Sequence, residues 1–132
     1  MSQLFAAVYE VASATAGRPF LRLNLVVDGG NASVVGTASV ETVTGELHEM
    51  PVRGHHMEIE GEEPLQAIVL AGTPPIFAVL DEEPASFQML MVLPSAWKEG
   101  QACYKMTVGK TYPRVIDIRD GKARAVLPEG VY

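Results

Sequence analysis

The chain has 132 residues, of which 48% are hydrophobic, with one cysteine and a formal net charge of −6 at pH 7. That length suits a single domain, with about two thirds of the unfolded surface buried on folding. One cysteine excludes an intrachain disulfide. The acidic balance argues against nucleic acid, and no apolar stretch approaches the ~20 residues of a membrane helix.

Residues 4–11 fit two periods. Leu4, Ala7, Val8 and Val11 would make a helical stripe, whereas Phe5, Ala7, Tyr9 and Val11 would make a strand face. The aromatic and β-branched content favours a strand. Ala14-Thr15-Ala16 before Gly17 has the look of a signal-cleavage site. However, Met1-Ser2-Gln3 carries no Lys or Arg, and Tyr9-Glu10 interrupts the apolar run. The segment therefore reads as mature protein, and the lone cysteine suits a reducing, cytoplasmic setting.

The clearest local signal follows. Leu21, Leu23, Leu25 and Val27 alternate with Phe20, Arg22, Asn24 and Val26, and Asp28-Gly29-Gly30-Asn31 then turns the chain. In the next run Ala32, Val34, Gly36, Ala38 and Val40 share one side. Period 2 on both flanks of a Gly-rich turn predicts an antiparallel hairpin, with strands at about 20–27 and 32–43 and one dry face. The small residues Ala32, Gly36 and Ala38 call for something bulky above them. The strand carrying Phe87, Met89 and Met91 is the expected filler, a ligand or a second subunit the alternative.

Residues 46–60 are polar and broken at Pro51 and Gly54, which places them at a sheet edge. Gln66–Ala71 and Ile76–Leu80 are short apolar runs that suit strands covered on both faces. Asp81-Glu82-Glu83-Pro84 reads as an acidic surface loop. Phe87–Leu93 is apolar on both parities and predicts a central core strand. Pro94–Gly100 reads as a helical turn or wide loop with Ser95 as a possible N-cap. In 101–108, Ala102, Tyr104, Met106 and Val108 should face in, and Gln101, Cys103, Lys105 and Thr107 out. Val115–Arg119 and Ala123–Leu127 flank Asp120-Gly121, which reads as a tight type I′ turn. About nine short strands with turn signals between them predict an all-β, single-domain antiparallel β-sandwich or flattened barrel over residues 1–132.

No catalytic or cofactor motif rises above background. His48, His55, His56, Glu58 and Glu60 are metal-capable, but alternate strand residues diverge too much to close a shell by themselves. Cys103 has no base partner beyond Lys105 on its own face, and an idle thiol accounts for it. Leu93-Pro94-Ser95-Ala96-Trp97 lacks the Gly-x-Ser-x-Gly frame of a nucleophile elbow. Asp28–Asn31 is no phosphate loop, because no helix follows it. Asn31-Ala32-Ser33 matches a glycosylation triplet, which carries no meaning without a secretory signal.

Two features point to contacts. Trp97, the sole tryptophan, sits in a loop, either as a lid over the core end or as a binding hot spot. Charge is also lopsided: residues 1–104 hold thirteen acids against four bases, and residues 105–124 six bases against two acids. Either the basic terminal hairpin lies beside the acidic strand near Glu58–Glu63, or it forms an anion site or a head-to-tail subunit contact. The second case makes Arg114, Arg119 and Arg124 interface candidates together with Trp97.

Leu21–Val27, Val35–Val40 and the Leu-Pro-Ser-x-Trp-Lys-x-Gly-x-Ala-x-Tyr stretch over Leu93–Tyr104 resemble the bacterial family DUF1842, across roughly residues 4–108. The resemblance implies a bacterial origin and one β domain, and it brings no activity or functional residues. The expectation is a cytoplasmic, non-enzymatic interaction module without cofactor or metal, partnered by itself or another protein rather than by nucleic acid or membrane. The alternatives are a small-ligand-binding β-sandwich using the Ala32–Ala38 face, and a hydrolase-like enzyme.

Overall fold

A computed structural model describes residues 4–13, 15, 17–72, 84–94, 97–109 and 113–126. Among them run the strands β1 (Leu4–Ser13), β2 (Phe20–Asp28), β3 (Ser33–Glu41), β4 (Leu47–Ile59), β5 (Leu65–Gly72), β6 (Pro84–Pro94), β7 (Glu99–Val108) and β8 (Arg114–Val126). Each pairs antiparallel with the next, and β1 pairs with β8 from Val8↔Val126 to Ser13↔Gly121, so the sheet closes into a barrel. The expectation of a nine-strand sandwich or flattened barrel is therefore corrected to an eight-strand closed barrel. No helix among the described residues is long and apolar enough to cross a membrane.

One local finding bears on the difference in strand number. Asp120-Gly121 is not a turn, because β8 continues through it. Tyr104 faces Ile118 while Ala102 faces Gly121, so β8 carries one extra residue and bulges there. Ile76–Leu80 and the acids Asp81–Glu83 lie outside the described residues, as does Ser95; Pro84 begins β6 rather than ending a loop.

The predicted hairpin is present, paired from Phe20↔Glu41 to Asp28↔Ser33. Its turn is held by Asx bonds: the Asp28 carboxylate accepts from the Gly30 N–H at 2.9 Å, and the Asn31 carbonyl from the Ser33 N–H at 3.1 Å. Ala32 belongs to this turn at φ 61°, not to the dry face. Residues 4–11 are strand, as their β-rich content suggested.

Residues on one parity of every strand fill the interior, among them Tyr9, Leu23, Ala38, Met50, Ile68, Met91, Tyr104 and Ile118. An eight-strand barrel is just wide enough for side chains to fill it. Closing it requires sharp bends, and glycines supply them. A Cβ at Gly36 would stand 1.9 Å from the Asn24 carbonyl oxygen, and one at Gly54 1.7 Å from that of Val69. The close neighbour at the Gly36 Cβ position is the backbone of β2, not the expected side chains of Phe87, Met89 and Met91.

β4 is not a free edge of an open sheet: it pairs with β3 from Leu47 to His55 and with β5 from Val52 to Ile59. Pro51 faces Thr37 just before the β5 ladder begins, where a missing N–H interrupts nothing on that flank among the described residues.

β5 and β6 depart from expectation in their environment. Their apolar residues on both parities suggested cover on both faces. Closure buries the inner parity, and of the outer one it leaves Val69 and Leu90 54% and 44% exposed.

Candidate functional site

One barrel mouth is closed by Trp97. The chain leaves β6 in a turn in which the Trp97 N–H donates to the Pro94 carbonyl at 2.9 Å, and Trp97 takes the left-handed φ of 61°. Its indole meets Phe5 of β1 edge-on at 5.3 Å and His56 of β4 at 5.4 Å. The Tyr9 hydroxyl donates to the Trp97 carbonyl at 3.0 Å. Trp97 is half-buried against the core, which is the placement of a lid.

Three basic residues of β8, Arg114, Arg119 and Arg124, find partners inside the chain, but not in the Glu58–Glu63 stretch. Arg114 donates to the Glu46 carboxylate at 3.1 Å, and the His48 ring lies 3.3 Å from the same oxygen. The Arg114 hydrogen bond and charge, aided by His48, hold the Glu46 carboxyl below its usual range. Arg124 bonds Glu10 of β1 at 3.1 Å, and Arg22 of β2 is 3.9 Å from that carboxylate. Arg119 meets Asp117 at 3.6 Å. Trp97 and Arg124 line one hollow of about 540 Å³ with Phe5, Val8 and Val126. Arg114 and Arg119 are elsewhere, so the four interface candidates do not form one patch.

The metal-capable residues disperse. His48 is buried on the inner parity, His55 is exposed on the outer one, and His56 is inward with its Nε2 3.1 Å from the Asp28 carbonyl. Among the described residues no three His, Cys, Asp or Glu side chains converge on a metal position. Cys103 is exposed, as its parity predicted.

The outer wall holds the feature that the sequence reading missed. A trough of about 730 Å³ crosses β5 to β8, lined by Val69, Ala71, Gln88, Leu90, Cys103, Lys105, Asp117 and Arg119. Ladder pairing aligns its floor. Val69 faces Leu90, which faces Cys103, and one row over Ala71 faces Gln88, Lys105 and Asp117 in turn. The β8 bulge lies at its far wall beside Arg119. Floor and rim differ in chemistry: Val69, Ala71 and Leu90 are apolar, whereas Lys105 and Arg119 give one end a positive character tempered by Asp117. Arg119 is the sequence candidate that falls here. The legible signal for the rest was the both-parity apolarity of β5 and β6, which in a closed barrel means bare outer residues rather than a second cover.

Among known families, the model of DUF1842, a domain of unknown function, matches residues 2–111, a span that takes in β1 to β7. No curated protein matches the chain.

Proposed function

The chain belongs to the DUF1842 family, whose description assigns no activity, and we propose from the barrel's outer wall that it is a non-enzymatic interaction module that binds a second copy of itself. The observation that carries this reading is the trough over β5–β8, with Val69 and Leu90 bare at its floor. Among the described residues a closed barrel has no further sheet with which to cover them, and a second copy supplies the cover in this reading. Contiguous apolar surface rimmed by polar residues marks interaction sites in soluble proteins. In a chain of net charge −6, a trough carrying Lys105 and Arg119 also has the opposite sign to most of the surface of another copy.

Sedimentation velocity over a wide concentration range tests the reading. The native chain should associate, and Leu90→Lys should return it to a single-chain mass with its thermal midpoint unchanged, because Leu90 faces outward. A single-chain mass at every concentration overturns the proposal.

A further inference from the structure

The trough has a counterpart elsewhere on the same barrel. β4 and β5 stay paired out to Ile59↔Leu65, but β3 ends at Ser33 opposite His55. Beyond His56, whose N–H donates to the Ala32 carbonyl, β4 has β5 alone for a neighbour, while β5 stays paired with β6 out to Leu65↔Pro94. The end of β4 and the turn after it, residues 57–64, form an acidic tongue at the rim. Residues 57–64 are all exposed. The tongue carries Glu58, Glu60, Glu62 and Glu63, together with the bare apolar side chains Met57 and Ile59, 63% and 44% exposed. Acidic and apolar groups alternate on it, whereas the trough offers an apolar floor and cationic side chains at its rim.

We propose that association is head-to-tail, the acidic tongue of one copy seating in the Lys105/Arg119 trough of the next; this rests on the self-association proposed above. Three observations converge on it. A tongue cannot enter its own trough, because Leu65 at its base and Val69 on the trough floor belong to one continuous strand, about 13 Å apart at strand rise and fixed in the ladder. A tongue seated in the trough therefore belongs to a second chain. A contact of trough upon trough would set Lys105 and Arg119 near their own copies, which like-charge repulsion disfavours. The one carboxylate lining the trough, Asp117, is already 3.6 Å from Arg119, so the tongue's carboxylates bring the charge that the remaining rim lacks.

A contact between two different surfaces does not close on itself at two chains, and it yields rings or open chains according to its rotation. The native protein should thus grow past two chains with concentration. Assembly should weaken as salt rises, since exposed charges are screened over ~8–10 Å at physiological ionic strength.

Two neutralised variants decide the matter by sedimentation velocity. Lys105→Gln/Arg119→Gln disables the trough, and Glu58→Gln/Glu60→Gln/Glu62→Gln/Glu63→Gln disables the tongue. All six positions are exposed, and far-UV circular dichroism melts establish that each variant is folded. Should the trough pair fail that check, Arg119→Gln by itself replaces it. Each variant alone should assemble at least tenfold more weakly than the native chain. An equimolar mixture should form a particle of two chains and stop there, because it contains one working tongue and one working trough. If the native chain associates but the variants do so equally well, or if mixing restores nothing, the head-to-tail arrangement is wrong while self-association stands. If the native chain never associates, both fall together.

Discussion

The Tyr9 hydroxyl donates to the backbone carbonyl of Trp97 at 3.0 Å, tying the first strand to the loop before β7 across 88 positions of sequence. The bond sits at the closed mouth, and burial pushes the Tyr9 hydroxyl up to about 12 from its usual 10.0. The folded chain therefore keeps a proton that the unfolded chain releases above pH 10. Stability is present in full below pH 10 and is lost as pH climbs toward 12. Burial moves the Tyr104 hydroxyl in the same direction.

Tyr9→Phe separates the two contributions. At pH 7 it should cost about 1 kcal/mol, the net worth of a hydrogen bond. Above pH 10 it should lose stability less steeply than the native chain. Urea titrations at pH 7 and pH 10.5 measure both, and an identical slope in the two proteins would count against Tyr9 as a titrating core group.

Trp97 holds a left-handed backbone at φ 61°, which costs an L-residue roughly 1–2 kcal/mol unless packing compensates. Its edge contacts with Phe5 and His56 are the compensation. Trp97→Ala should destabilise by about 1–3 kcal/mol, since it removes a large, partly buried side chain and keeps the backbone strain. Trp97→Gly loses the same packing but relieves the strain, and should be at least as stable as the alanine variant. A glycine variant that melts clearly below the alanine one would show that the loop does not keep this conformation.

At Gly36 the obstacle to a side chain is a backbone carbonyl, which cannot rotate aside. Gly36→Ala should cost on the order of 1–3 kcal/mol through overpacking and a forced backbone shift. Gly61, with nothing within 4 Å of its Cβ position, is the control, and Gly61→Ala should leave the thermal midpoint within a degree or two. Equal effects at the two sites would refute the close approach of β2 to β3.

Cys103 faces the trough and not the core. Cys103→Ser should therefore fold and melt like the native chain. The native thiol should react to completion with a thiol reagent without unfolding. A bulky adduct there should also hinder assembly, and dilution to single chains should speed the labelling. A thiol that labels only in denaturant would reverse the parity of β7.

Much of the barrel was legible because strand alternation is local. Leu21–Val27 against Val34–Val40 identified the first hairpin and its inward face, and Ala102–Val108 identified the inward face of β7. The turn signals at Asp28–Asn31 were equally readable, since Asx bonds span only two residues. Asp120-Gly121 shows the limit of such signals. The same dipeptide serves a hairpin turn or a bulge, and the choice depends on whether β7 continues opposite, as it does from Gly100 to Val108.

The sequence by itself determined the all-β class, the inward parity of β2, β3 and β7 and the exposure of Cys103, because each follows from neighbours one or two residues apart. Only the tertiary structure decided closure, which depends on Val8 meeting Val126 and on glycine corners that let backbones approach. Closure in turn decided the surfaces. It left Val69 and Leu90 uncovered, paired Arg114 with Glu46 and Arg124 with Glu10, and set Lys105 and Arg119 at the rim of one trough. Charges far apart in the chain carry no mark of which partner they will meet, because that is fixed by the ring of strands and not by any local period.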